Sequence, residues 1–269
     1  MKLSLEVLCA TMNREDFSLV KEMNIKSNVF FANQDGRYMY EEQMLANGKK
    51  ARMLTTNTLG TSVNRNISLL HSCGDICLLS DDDVVYDDDY ESIIIENFEN
   101  NPNADMIIFN LRTNSQERKI EEIKSKKKMS RFCRNPYGAV RVAFRRKSQQ
   151  KFNCWFSMML GPNALYKMGE DSKFINEFRE KGSVYLSNDY IGEVNFESSS
   201  WFEGYTEEYF FNKGAYLEIS KKNNILSYIY YGVRTKSNIP LISRIKLMRY
   251  GASCARECIS YSGYKEKKL

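Results

Sequence analysis

The run Ile76-Cys77-Leu78-Leu79-Ser80-Asp81-Asp82-Asp83 decides the fold, because a mostly apolar stretch leads directly into three consecutive carboxylates. A short apolar run ahead of turn residues predicts a buried β-strand. Carboxylates crowded at the end of a strand repel one another, so a cation is expected to bind beside them. Carboxylate oxygens suit Mg²⁺ or Mn²⁺. Since ligands of open α/β sheets bind beyond the carboxyl ends of the strands, the run predicts a metal-assisted site.

The composition is ordinary for a soluble globular protein, with 42% of the 269 residues hydrophobic and 27% charged. No stretch approaches the ~18 uninterrupted apolar residues of a membrane span. Glu6 interrupts the N-terminus too early for a secretory signal. The seven cysteines, an odd number without a Cys-x-x-Cys pair, predict reduced thiols. These features predict a cytoplasmic protein, or one that works at the inner face of the cell membrane.

The net charge of +5 is distributed unevenly along the chain. Acidic residues gather at 81–89, and basic residues gather at 118–151 and 244–268. Such asymmetry predicts an anionic partner. The basic segment 118–151 lacks regularly interleaved aromatic residues and any recognisable nucleic-acid-binding module, so no nucleic-acid partner is expected.

The order of the predicted elements indicates an α/β architecture in the first part of the chain, where strand-like and helix-like segments alternate. The predicted elements there are strands at 3–9, 28–32, 51–55, 76–80 and 105–109, and helices at 61–73 and 88–98. A basic surface connection follows at 114–151, with one strand-like piece at 140–144. Beyond it the pattern predicts a helix at 172–181 and two short strands at 184–186 and 191–196.

The C-terminal part of the sequence predicts helices. Apolar residues recur there near helical spacing beside basic ones: Leu241, Ile245, Met248, Ala252 and Ile259, with Arg244, Lys246 and Arg249. This pattern predicts either a helix docked on the core or a peripheral helix on an anionic membrane surface.

Further motifs occur in a fixed order around the acidic run. They are Thr11-Met12-Asn13-Arg14, Gly60-Thr61-Ser62-Val63-Asn64-Arg65-Asn66, Gly169-Glu170-Asp171-Ser172, and Trp201-Phe202-Glu203-Gly204-Tyr205. With Asp81-Asp82-Asp83 they resemble glycosyltransferase family 2 of the GT-A fold, in the type that builds bacterial capsule, exopolysaccharide and lipopolysaccharide. The resemblance covers about residues 1–215.

The resemblance implies an α/β fold, a GT-A-like, Rossmann-type mixed sheet sandwiched by helices, with a C-terminal helical extension. It divides the chain into a nucleotide-sugar-binding part at 1–113, a linker and acceptor-binding part at 114–215, and the helical extension at 216–269. The implied enzyme is an inverting, hexosyltransferase-type glycosyltransferase. It would move a sugar from a nucleotide-diphosphate donor, with a UDP-sugar favoured, to a hydroxyl of a glycan or lipid-linked acceptor.

The resemblance also implies roles for single residues. Asp83, with Asp81, would hold Mn²⁺ or Mg²⁺, and Asp81 or Asp82 would contact the ribose. Arg65, near a helix N-terminus, would face the nucleotide. Thr11 and Asn13 would contact the base, although capping of a helix is an equally good reading of both. Gln34 would replace one further base contact. It lies in Asn33-Gln34-Asp35-Gly36, which departs from the family's Asp-Asp-Gly-Ser-like turn. Apart from the resemblance, the basic segment 118–151 is expected to be a solvated linker, or a lid over the donor diphosphate that uses Arg145 or Arg146.

Asp171 is the candidate general base, because inverting transfer needs one carboxylate to take the proton of the acceptor hydroxyl. Its alternative role is capping, since Glu170 and Asp171 also suit the start of a helix. Glu170, Trp155 and Trp201 are the candidate acceptor contacts.

Two other functions use the same residues. Asp81-x-Asp83 after an apolar strand also resembles the first motif of haloacid-dehalogenase-like phosphatases, in which the first Asp is a nucleophile. That reading expects the motif nearer the N-terminus and a further acidic pair later in the chain. The remaining alternative is a non-catalytic module that binds a metal or a nucleotide.

Overall fold

A mixed sheet of ten strands forms the centre of the molecule within residues 2–113, 120–130, 136–195 and 204–266, which the computed structural model describes. The strands are β1 (Leu5–Met12), β2 (Asn28–Gln34), β3 (Met39–Met44), β4 (Lys50–Thr56), β5 (Ile76–Asp81), β6 (Val84–Tyr86), β7 (Met106–Thr113), β8 (Lys127–Lys128), β9 (Val142–Arg145) and β10 (Val184–Val194). Their order across the sheet is β3-β4-β2-β1-β5-β9-β7-β10-β6, and β8 pairs with β10.

The helices alternate with the strands and then continue alone. They are α1 (Leu19–Glu22), α2 (Thr61–His71), α3 (Tyr90–Asn100), α4 (Arg146–Phe152), α5 (Glu170–Lys181), α6 (Glu207–Ile219), α7 (Ile225–Arg234), α8 (Leu241–Arg256) and α9 (Tyr261–Glu266), with a 3₁₀ turn at Ala139–Arg141. No helix among the described residues is long and apolar enough to cross a bilayer.

Helices cover both faces of the sheet. Since successive side chains of a strand point to opposite faces, alternate residues of a strand pack under different helices. In β5, Ile76 and Leu78 join the core beneath α1 and α3, whereas Cys77 and Leu79 join the core beneath α2 and α5. The continuous apolar run of β5 is therefore that of a strand buried on both sides. The predicted mixed sheet sandwiched by helices is confirmed.

The middle of the chain differs from the prediction in two ways. The strand-like piece predicted at 140–144 is β9, but it lies antiparallel between β5 and β7 in the centre of the sheet and not in a surface connection. The two short strands predicted at 184–186 and 191–196, of which residue 196 lies outside the described residues, are one strand, β10, whose register against β7 shifts twice. Their separate patterns arise because an irregular stretch interrupts the alternation without ending the pairing. The predicted division of the chain at 113 and 215 stays a prediction.

The C-terminal helices form a third core, which confirms the helical extension. α6 and α8 pack closely at Gly214 of α6. A Cβ atom added there would lie 1.9 Å from the Met248 carbonyl oxygen of α8, so only glycine fits. Met248 and Ala252 are buried in this contact. The face of α8 that carries them is therefore docked on the protein.

Candidate active site

The ends of three strands bring polar side chains to one edge of the sheet. The pairing places Ala10 of β1 beside Asp81 of β5, and Thr11 beside Asn33 of β2. The Thr11 hydroxyl donates to Asp82 Oδ2 at 2.6 Å, and Arg14 Nη2 donates to the same oxygen at 3.3 Å. Thr11 is thus bound to the acidic run rather than capping a helix.

Asp83 lies in the turn between β5 and β6, with its carbonyl oxygen accepting a hydrogen bond from the Asn195 N–H at 3.0 Å. Its Oδ1 is buried and has no hydrogen-bond partner. Burial, with the charges of Asp81 and Asp82, raises the pKa of Asp83 to about 7. A buried carboxylate oxygen without a donor is poised to accept a cation.

Arg65 of α2 joins the acidic run to the start of α5. Its Nη2 donates to both carboxylate oxygens of Asp81, at 2.9 and 3.1 Å, and its Nη1 donates to Asp171 Oδ1. The same Nη1 lies 3.9 Å from Glu170 Oε1. Burial alone would lower the pKa of Arg65, but Asp171, Asp81 and Glu170 raise it above its usual range. Arg65 is therefore a fixed positive charge among three carboxylates.

Asp171 and Glu170 occupy the first turn of α5. Asp171 Oδ2 accepts a hydrogen bond from the Ala139 N–H at 2.9 Å, so each of its oxygens has one donor. Each oxygen keeps a further acceptor site, since a carboxylate offers about four. Burial, with the charge of Asp171, raises the pKa of Glu170 to about 7.

Gly169 allows the chain to enter α5 at this point. It has φ +94°, and a Cβ atom would lie 2.2 Å from Tyr216 Cδ2 of α6. Only glycine combines that backbone conformation with such a close contact. The position of the two carboxylates therefore depends on the packing of α6 against the start of α5.

Two amide side chains of α2, the buried Asn64 and the half-buried Asn66, hold the helix in place. Asn64 Nδ2 donates to the carbonyl oxygens of Thr11 and Ala32, at 3.1 and 2.7 Å. Asn66 both donates to and accepts from the backbone of Phe156, at 2.9 Å each. These bonds fix the helix that carries Arg65. Both asparagines belong to the motif at 60–66, but a role was predicted from the sequence for Arg65 alone.

The remaining predicted base contacts lie at the same edge. Gln34 ends β2, and its Nε2 donates to the Gly60 carbonyl oxygen at 3.0 Å. Asn13 follows β1 with φ 55°, and its N–H donates to the Gln34 carbonyl oxygen at 3.0 Å. The structure thus brings Thr11, Asn13, Gln34, Arg65 and the acidic run together.

Arg145 and Arg146 do not form a lid, and that prediction is wrong. Arg145 donates to the carbonyl oxygens of Ala104 and Phe98, and Arg146 donates to that of Gly74. Both residues lie where β5 begins, at the end opposite the acidic run, because β9 is antiparallel to β5. Their charges stabilise backbone carbonyl groups.

A cavity of about 820 Å³ extends from the carboxylates towards the C-terminal helices. Arg65, Asp81, Glu170 and Asp171 line one end of it. Side chains of α6, α7 and the segment before α6 line the other end: Tyr205, Tyr209, Lys213, Tyr216, Tyr230, Tyr231 and Arg234. The Lys213 ammonium lies 5.0 to 5.6 Å from the ring centres of Tyr209, Tyr216 and Tyr231. Sequence reasoning missed this wall, although Tyr209, Lys213 and Tyr216 recur at helical spacing.

Trp155 is not among the described residues that line this cavity. Trp155 packs beside the core under α5, and its Nε1 donates to Asn153 Oδ1 at 2.6 Å. Trp201 lies outside the described residues.

The site fits a divalent cation through few protein ligands. Across the described ranges no group of three or more His, Cys, Asp or Glu side chains is arranged to hold a metal ion. Asp81 is already paired with Arg65, whereas Asp83 offers a buried oxygen without a donor. Mg²⁺ is commonly bound by one or two carboxylates, with the other positions filled by water and substrate phosphates. Asp83 is the residue that would hold such an ion.

The stability of the metal-free protein is expected to fall as the pH rises towards 7. Because the pKa of Asp83 is raised from 3.8 to about 7, the folded protein binds more protons than the unfolded chain between these values. The stabilising contribution is complete below the lower value and is lost through the upper one. Thermal unfolding from pH 4 to 8 measures it, and Asp83→Asn is expected to flatten the fall. Asp88→Asn, at a carboxylate whose side chain is 84% exposed, is the matched control. A slope identical in both variants would contradict the prediction.

The comparisons with known proteins place the fold. The sequence matches no model of a known protein family and no curated protein. Among solved structures it is similar to S. aureus TarS 1-349 in complex with UDP-GlcNAc, with a TM-score of 0.61, 10% identity, and coverage of 99% of this chain and 76% of that one. TarS 1-349 in complex with UDP gives a TM-score of 0.55 and 11% identity, with coverage of 99% and 75%. At these identities the likeness concerns the fold, which is a glycosyltransferase fold.

Proposed function

We propose that the protein is an inverting glycosyltransferase of family 2 type that uses a nucleotide-diphosphate sugar. The observation that carries this proposal is the Arg65 bridge between Asp81 and Asp171, because it joins the acidic run to the start of α5 in a single site. Two neighbours in fold were solved with UDP-GlcNAc and with UDP, which supports a UDP-sugar as donor.

The donor would bind where β1, β2 and β5 end. Thr11, Asn13 and Gln34 are proposed to contact the nucleoside, and Asp81 or Asp82 the ribose, since carboxylates accept hydroxyl hydrogen bonds. Asp83 is proposed to hold Mn²⁺ or Mg²⁺ beside the diphosphate. When bound, such an ion would neutralise the charge that develops on the leaving group. Burial raises the pKa of Asp81, and Arg65 is proposed to offset part of that rise and to fix the orientation of the carboxylate.

The acceptor would enter through the cavity that Asp171 lines. Asp171 is proposed to take the proton of an acceptor hydroxyl while that oxygen attacks the anomeric carbon of the sugar. The bond between this carbon and the diphosphate breaks on the opposite side, so the configuration inverts and the nucleoside diphosphate leaves. Tyr209, Tyr230 and Tyr231 are suitable for stacking on sugar rings. A glycan or lipid-linked acceptor in bacterial surface polysaccharide synthesis is the proposed context.

The structure weighs against the phosphatase alternative. A phosphatase of that type needs its first Asp as a nucleophile. Asp81 instead accepts two hydrogen bonds from Arg65, which holds its oxygens in a charge-assisted contact. Asp171 would also have no task in that reaction.

A thermal-shift screen of nucleotide-sugars with Mn²⁺ tests the proposal. A ligand at about 100 times its dissociation constant stabilises the folded state by about 2.7 kcal/mol, which corresponds to roughly 5–10 °C in a domain of this size. A UDP-sugar with Mn²⁺ is expected to give such a shift, and Asp83→Ala is expected to remove its metal-dependent part. Asp88→Ala should leave it unchanged. Release of phosphate from phosphomonoesters without any nucleotide-sugar shift would refute the proposal.

A further inference from the structure

Helix α7 has three different faces. Tyr228 and Gly232 are buried, and a Cβ atom at Gly232 would lie 2.9 Å from Leu241 Cδ1 of α8. Tyr230 and Arg234 line the cavity. The third face carries apolar side chains that contact little protein, since Leu226 is 74% exposed and Val233 is 64% exposed.

These exposed residues form a continuous stripe. Leu226, Ile229 and Val233 follow one another at i, i+3 and i+7, which places them along one side of the helix. On α8 the exposed residues Ile242, Lys246 and Arg249 have the related spacing i, i+4 and i+7. On each helix, viewed along its own N-to-C direction, the stripe is rotated by about a quarter turn from the side that contacts the other helix. The rotation has the same sense in both helices. We call α7, α8 and their connection the helical hairpin. Because the two helices of a hairpin run in opposite directions, stripes rotated in the same sense face the same side.

Arg244 holds the hairpin in this arrangement. Its guanidinium donates to carbonyl oxygens of Gly232, at the end of α7, and of Ile239 and Thr235 in the connection to α8, at 2.6 to 2.7 Å. The two stripes are therefore parts of a single surface. We call Leu226, Ile229, Val233, Ile242, Lys246 and Arg249 the hairpin face.

The charge of this region has one sign. Residues 219–256 contain eight Lys and Arg residues and no Asp or Glu, and of these cations Lys222 and Arg256 pair with Glu180 and Glu218 outside the segment. A second copy of the chain docked through the same face would bring these cations against each other, because a two-fold interface presents the same patch twice. An apolar stripe flanked by cations instead matches a membrane interface, where acyl chains accept the stripe and anionic headgroups accept the cations.

We propose that the hairpin face docks the protein on an anionic lipid bilayer, with α7 lying in the plane of the interface. Tyr230 and Arg234, next to the stripe, line the cavity that leads to Asp171. The cavity would then open at the membrane surface. The docking itself does not depend on the proposed reaction, and its test needs no substrate.

Co-sedimentation of the full chain with lipid vesicles tests the proposal. The protein is expected to bind vesicles of phosphatidylglycerol and phosphatidylcholine in equal amounts, and to bind phosphatidylcholine alone far more weakly. Leu226→Glu with Val233→Glu should weaken binding by at least about tenfold, because two buried aliphatic side chains are lost. Lys246→Gln with Arg249→Gln should weaken it by about 25-fold, roughly fivefold for each cation.

Leu70→Glu is the matched control, because Leu70 is 68% exposed on α2, away from the hairpin. It should bind the anionic vesicles as the unmodified chain does. Unchanged thermal midpoints would show that all variants are folded. Absent binding, or equal binding to neutral and anionic vesicles, would overturn the proposal. It would also be overturned by a dimer in solution that Leu226→Glu with Val233→Glu dissociates.

Discussion

Replacing Asp171 by asparagine is expected to lower the turnover number for sugar transfer by about 10²–10⁴-fold, the usual contribution of a general base. Asparagine keeps the shape of the side chain and can still accept a hydrogen bond, but it cannot take a proton. The donor would bind at the strand ends, so nucleotide affinity should change little. Steady-state rates with a nucleotide-sugar, together with calorimetric titration of UDP, measure the two effects separately.

Glu170→Gln is the matched control for this experiment. Glu170 is the neighbouring carboxyl, with a side chain 12% exposed against 25% for Asp171. Its pKa, raised to about 7, would also suit a base. We expect a loss below tenfold for Glu170→Gln, because Asp171 contacts both Arg65 and the Ala139 N–H, which fix its direction. A large loss for Glu170→Gln with a small one for Asp171→Asn would reverse the assignment.

Arg65→Met is expected to lower the free energy of unfolding by about 3–5 kcal/mol, the usual cost of leaving a buried charge without its partner. Arg65 is 4% exposed and is the cation shared by Asp81, Glu170 and Asp171. Methionine fills much of the same space, so the loss reports charge more than volume. Urea unfolding at pH 8 measures the effect.

The pH dependence of the unfolding free energy distinguishes the loss of the Arg65 charge from a packing defect. Without Arg65 the pKa values of the three carboxyls are expected to rise, so the folded variant would bind protons that the unfolded chain has released. The difference from the unmodified protein should therefore shrink as the pH falls from 8 to 5. Arg37→Ala, which removes an exposed pair with Asp35, is the control and should cost less than about 1 kcal/mol. If Arg65→Met lowered the free energy of unfolding as little as this control at every pH, the Arg65 bridge would contribute little to stability, against the prediction.

Much of the proposed donor side was predictable because it depends on local pattern. A strand buried on both sides and ended by carboxylates is visible in residues 76–83, and the ends of parallel strands meet at one edge. This placed Thr11, Gln34 and Asp81 correctly relative to one another. The pattern could not show that Arg65 contacts Asp81 and Asp171 together, since 106 residues separate Arg65 from Asp171 and their contact depends on the packing of α2 and α5.

The middle and the cavity wall were less predictable for physical reasons. A strand was predicted at 140–144, but the central position of the four-residue β9, which fills the gap between β5 and β7, was not. Its position is determined by the sheet as a whole, and the local sequence carries little of that information. Similarly, Lys213 and Tyr231 meet only after α6 and α7 have packed.

Anomalous diffraction from crystals grown with UDP and Mn²⁺ tests the proposed donor site most directly. We predict a manganese peak in contact with an Asp83 carboxylate oxygen and with the diphosphate, with the nucleoside beside Thr11 and Gln34. UDP bound elsewhere on the molecule, or bound at the strand ends with no manganese near Asp83, would contradict the account of this site.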